Sequence, residues 1–209
     1  MPIKFVLFDA FGTLLKIPEG RHPYRQVLKE GIRQGRRPQP DDLHHILTRD
    51  LDLAGAANLF GIKIATQHMT DIQRDLAADL SSIQAFEDGL LAVERLQAEG
   101  IKVGIASNLA APYGEPIRRL YPSMDAFGFS FALGAMKPHA FMYRATCELL
   151  GVGIQDVARN HVVMIGDSEK CDRDGPRTSG IRGFLLNRHG GGDFRSLIEF
   201  SDVVLRGND

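Results

Sequence analysis

Short apolar runs that stop at polar residues set the tightest limit on how this chain can fold. Residues 5–8, 103–106, 162–165 and 183–186 are too brief for helices and too apolar for half-exposed strands, so they read as buried strands; residues 203–205 make a weaker fifth. Helical patterns lie between the later runs, at 90–98 and at 141–150, the second followed by Gly151 as a stop. Strands alternating with helices predict an α/β fold, a Rossmann-like, doubly wound parallel sheet. In such sheets the ligand crevice lies outside the carboxyl ends of the strands. Asp9, Ser107 and Asp167 fall at three of those ends, so distant stretches of sequence converge on one rim.

From 23 to 83 the pattern changes. Helical stretches at 24–34, 41–53 and 69–80 follow one another without a convincing strand, which predicts an α-helical cap inserted after the first strand and lying over the rim. Residues 1–16 and 87–209 then form the core and 17–86 the cap, with joints at 16–22 and 81–87. The 190–192 glycine triplet reads as a surface loop.

Charge narrows the partners. With 25 basic and 26 acidic side chains the net charge is −1, so no overall field favours nucleic acid or a membrane surface. No run of about 18 apolar residues occurs and no basic leader precedes the first strand, which predicts a cytoplasmic protein. Cys147 and Cys171 read as unpaired thiols of a reducing compartment.

Asp9 ends an apolar strand, where a buried charge is costly unless it is compensated. Asp167 and Asp172 lie in the GDSEKCD loop after a strand that should neighbour the first. Three acids brought together would raise one another's pKa unless a cation shares the site. Oxygen ligands without His or Cys suit Mg²⁺. Ser107 and Asn108 offer a hydroxyl, an amide and backbone N–H groups to an anion, Thr13 another hydroxyl, and Lys137 an ammonium on a loop restricted by the following proline. In the cap, Arg21 or Arg25 would bind a second anionic group of the substrate, and the His22 imidazole could stand in for a proton donor.

The ordered motifs FDxxGT at 8–13, SN at 107–108, KP at 137–138 and GDSxxxD at 166–172 resemble the haloacid dehalogenase superfamily of hydrolases along nearly the whole chain. The resemblance implies Asp9 as nucleophile, Thr13 and Ser107 binding the transferred group, and Lys137 neutralising it and orienting Asp9. It further implies Mg²⁺ bound by Asp9, the Phe11 carbonyl and Asp167, with Asp172 ligating or supporting the metal.

One position departs from the pattern. Phosphatases that this chain resembles carry a second Asp two residues after the nucleophile as general acid and base; here that residue is Phe11. General acid–base help is worth about 10² to 10⁴ in rate, roughly 3 to 5 kcal/mol. Dehalogenases of the superfamily carry an aromatic there, and Tyr143, six residues after Lys137, also fits their pattern. The metal-independent ones lack the acid corresponding to Asp167, which this chain keeps. The sequence and the resemblance together therefore predict an Mg²⁺-dependent phosphohydrolase of a small anionic phosphorylated metabolite, with either a good leaving group, such as an acyl or aryl phosphate, or a proton supplied by the substrate or a cap residue. A metal-independent 2-haloacid dehalogenase and an idle phospho-ligand-binding domain are the alternatives.

Overall fold

A computed structural model describes residues 2–207. The strands are β1 (Phe5–Phe8), β2 (Leu15–Lys16), β3 (Gln84–Ala85), β4 (Lys102–Ser107), β5 (Ala126–Phe129), β6 (Val162–Gly166) and β7 (Arg182–Leu185). Five of them form one parallel sheet in the order β5-β4-β1-β6-β7, while β2 and β3 pair with each other antiparallel. All four residues of β1 are buried, as a strand covered on both faces requires.

The cap stretch folds as α1 (Pro23–Arg33), α2 (Asp42–Leu47), α3 (Leu53–Leu59) and α4 (Thr66–Ser82). The core carries α5 (Glu87–Ala98), α6 (Gly114–Leu120), α7 (Ser130–Leu133), α8 (Ala140–Leu149), α9 (Ile154–Ala158), α10 (Gly175–Arg177) and α11 (Leu197–Arg206). Glu87 and Asp88 begin α5 where the helix dipole favours acids, and Gly100, at φ +74°, allows the chain to leave it for β4.

Three apolar clusters result. One face of the sheet packs Val6, Phe8, Ile105 and Ile165 against α5 and α11 through Leu96, Leu197 and Phe200. The other face packs Leu7 and Met164 against Tyr143 and Cys147 of α8. The cap has a centre of its own, with Val27, Ile46, Leu53 and Ile72, joined from the core by Ala110. Cys147 is buried and unpaired, which pushes its thiol up to about 12; Cys171 is also free. No helix among the described residues is long and apolar enough to cross a membrane.

The structure corrects the sequence reading at three places. Residues 203–205 are the end of α11, not a strand: Leu197, Phe200, Ser201 and Val204 are buried at helical spacing, and Ser196 caps the first turn by accepting from Glu199 N at 3.1 Å. The fifth strand is β5, whose AFGF sequence is short and contains a glycine. Gly128 is needed there because a Cβ would lie 2.0 Å from Thr146 Oγ1. The 41–53 stretch is helical only over α2; the chain leaves the helix after Leu47 and a new one, α3, begins at Leu53, where the Asp52 side chain caps it by accepting from Gly55 N at 2.6 Å.

Candidate active site

Register places the chemistry. Phe8 pairs with Ile105 of β4 and Ile165 of β6, so the residues just beyond these strands emerge together at the sheet's carboxyl rim. Asp9 is anchored through its own N–H, which donates to Ile165 O at 3.0 Å. After it the chain turns sharply: Gly12, at φ +84°, is pressed on the β6 loop so closely that a Cβ would lie 2.0 Å from Asp167 Oδ2. Gly166 plays the same part toward Asp172, whose Oδ2 would be 2.3 Å from an added Cβ.

The acids at 9, 167 and 172 each present an oxygen within 4.8 Å of the others. Asp9 and Asp172 are buried and Asp167 is exposed. The Lys137 ammonium, itself buried, donates to Asp9 Oδ1 at 2.6 Å and to Asp172 Oδ1 at 2.7 Å. Burial pushes the Asp9 carboxyl up to about 7, with Lys137 opposing and Asp172 adding to the rise. Burial likewise raises Asp167, and the Asp172 charge adds to it. For Lys137 burial acts downward, but the two carboxylates outweigh it and hold the ammonium charged.

One ammonium among three carboxylates leaves a net deficit of positive charge. The donor set is all oxygen, the loops pack tightly enough to fix it, and the third acid opens to solvent; the residues fit a hard divalent cation such as Mg²⁺. Asp9, Asp167 and the Phe11 carbonyl would hold it. Asp172 has both oxygens engaged, Oδ1 with Lys137 and Oδ2 accepting from Ser168 N at 2.9 Å, which suits a supporting part.

Around this cluster the remaining polar groups divide. Thr13 is fully buried and its hydroxyl has no hydrogen-bond partner among the described residues. Ser107 is buried at the end of β4. The Asn108 side chain is spent on the Lys137 backbone, donating to its carbonyl at 2.9 Å and accepting from its N–H at 2.7 Å, so it fixes the lysine loop. Arg21 faces α4, where Nη1 meets Asp75 Oδ1 at 3.1 Å. Arg25 is exposed and lines a cavity with Phe11 and Asn108, as does His22. The Tyr143 hydroxyl donates to Cys171 O at 2.6 Å and so braces the acidic loop.

Two contributors escape a reading of the sequence. Arg188, on the loop after β7, donates to Thr13 O at 2.8 Å and to Asp88 Oδ2 at 2.7 Å while its guanidinium lies 4.0 Å from the centre of the Phe86 ring. Tyr113 donates to the buried Asp79 of α4 at 3.1 Å and meets Phe11 edge to face, tying cap to core. Neither residue belongs to a recognisable motif, and both partners are remote in sequence; no signal short of the fold could have found them.

The sequence profile of haloacid dehalogenase-like hydrolases matches residues 3–180. The chain belongs to that family. No curated protein sequence matches it. Among solved structures, a HAD phosphatase from Thermococcus onnurineus superposes with a TM-score of 0.65 at 24% identity, over 97% of this chain and 98% of that one. L-2-haloacid dehalogenase from Xanthobacter autotrophicus gives 0.61 at 18%, over 99% and 100%. A HAD family enzyme from Bacteroides thetaiotaomicron, in complex with magnesium and inorganic phosphate, gives 0.62 at 17%, over 88% and 94%. The family member described here thus shares its fold with phosphatases and dehalogenases alike.

Proposed function

We propose that this hydrolase is an Mg²⁺-dependent phosphohydrolase of a small anionic metabolite, working through an aspartyl-phosphate on Asp9. The observation that carries the proposal is the gathering of Asp9, Asp167 and Asp172 around a single ammonium. Without a cation that arrangement is strongly self-repelling. The magnesium complex of the Bacteroides relative supports the reading.

In the reaction an Asp9 oxygen forms a bond to phosphorus as the bond to the leaving group breaks, and water then releases phosphate. Lys137 holds Asp9 in place, and with the Thr13 hydroxyl and Ser107 it takes charge from the equatorial oxygens. Bound Mg²⁺ would supply further charge neutralisation there. Arg25, at the cavity beside Phe11, would meet an anionic substituent of the substrate. With Phe11 where a proton donor usually stands, the leaving group must either depart without a proton or take one from elsewhere, His22 on the cavity wall being the candidate.

The test is phosphate release from acetyl phosphate and p-nitrophenyl phosphate. Turnover that needs Mg²⁺, stops with EDTA and falls at least about 10³-fold in Asp9→Asn is the expected result. Turnover indifferent to metal overturns it. Phe11 favours a second reading, dehalogenation of 2-halo acids by the same Asp9 without metal, for which the signature is chloride release from 2-chloropropionate in EDTA.

A further inference from the structure

Between cap and core lies a cavity of about 220 Å³. Phe11 and Asn108 are among its walls, as are Ile46, Leu47, Ala110 and Tyr113. Two of its walls are near neighbours in the chain of site residues, Phe11 being two residues from Asp9 and Asn108 following Ser107. Its polar wall groups are already satisfied. Tyr24 donates to Leu51 O at 2.6 Å, Tyr113 to Asp79, and the Asn108 amide to the Lys137 backbone. Exposed Arg25 and His22 remain for a ligand, while the space inside presents carbon. A closed apolar cavity of about 150 Å³ accepts benzene, so this one has room for an aromatic ring and a substituent.

Resting on the phosphohydrolase reading, we propose that the leaving group is an apolar aryl body seated in this cavity against Phe11, which makes an aryl phosphate the substrate class. Phe11 then has two consequences that agree. It removes the usual proton donor and it lines the space for a ring, and an aryloxide is a leaving group that needs no proton donor at the moment of bond breaking. The balance is simple. An Asp9 oxygen bonds phosphorus, the P–O(aryl) bond breaks with its electron pair on the aryloxide, and the aryloxide takes a proton from solvent. Water then attacks phosphorus, giving its proton to solvent, so that phosphate leaves and the Asp9 carboxylate returns.

The deciding experiment compares kcat/KM for 1-naphthyl phosphate and acetyl phosphate in Mg²⁺, in the wild type and in Ala110→Leu and Leu47→Phe, which fill the cavity from different walls. The wild type should favour the aryl substrate at least about tenfold, and either variant should lower the aryl-to-acetyl ratio by about the same factor. An unchanged ratio in both folded variants overturns the aryl assignment and leaves the phosphohydrolase reading standing. Binding of phenylphosphonate and methylphosphonate in Mg²⁺, measured by calorimetry, judges the cavity independently of turnover. A preference of about tenfold for the phenyl compound, lost in the variants, supports the assignment, and equal affinities refute it.

Discussion

At the rim of the sheet, buried charges are tied to one another; in the insertion above it, the ionisable groups facing the cavity are loose. Lys137 joins two acids, Asn108 grips the lysine's backbone, and Arg188 holds the loop of Thr13. Across the cavity, Arg25 and His22 are exposed, and His22 has the left-handed φ of +54° just before α1. The difference follows from support. Strand ends fixed by five-strand pairing can hold charges close together, where a displacement of an ångström matters to catalysis. The α1–α4 segment ties some charges too, Arg36 to the buried Asp42 among them, but toward the cavity it leaves Arg25 and His22 open and offers shape. On the proposed reading, chemistry would belong to the rim and choice of substrate to the α1–α4 segment.

The largest expected effect is at the lysine. Lys137→Met removes the ammonium from between Asp9 and Asp172 and should destabilise the metal-free protein by about 3 to 5 kcal/mol in urea titrations. A variant as stable as the wild type would break the account of the rim as a mutually compensated network. Mg²⁺ should recover part of the loss.

Next comes pH. The folded protein lifts Asp9 from 3.8 to about 7, so between those values it keeps a proton that the unfolded chain has released. Stability attributable to this group is therefore greatest at low pH and declines as pH rises through that window. In EDTA the difference between wild type and Asp9→Asn should shift by roughly 3 to 4 kcal/mol from pH 4 to pH 7.5, in favour of the variant. A shift in the opposite direction would mean that Lys137 more than compensates for the burial of Asp9.

The smallest effect sharpens the contrast between holding and acting. Thr13→Val replaces an unpartnered buried hydroxyl with a methyl group and should leave stability within about 0.5 kcal/mol or raise it slightly. Phosphate turnover should nevertheless fall about tenfold or more. Equal losses in both measurements would give Thr13 a structural part only.

The rim was legible in the sequence because each of its members closes an apolar run or sits in a short motif. Asp9, Ser107 and Asp167 could be assigned to strand ends before any pairing was known, and parallel register then brings the ends level. Residues 203–205 misled because a three-residue apolar run looks alike on a strand and on the inner face of an amphipathic helix; the burial of Leu197 and Phe200 decides it. β5 was hidden by its glycine, whose reason is the neighbouring Thr146. The cap's division at Asp52 depends on a side-chain cap that competes with helix continuation, and Asp at that place is compatible with either. The bonds of Arg188 and Tyr113 join residues remote in sequence and exist only once the chain is closed.

The pairing of β2 with β3 carries a consequence for the ancestry of such chains. Leu15 faces Ala85 across this two-stranded ribbon, so the path out of the sheet and the path back run side by side. Everything between could be exchanged for a tight turn or for an unrelated segment without lengthening any connection in the core. The ribbon is thus a port at which residues 17–83 could be replaced while Asp9 and its neighbours stay in place.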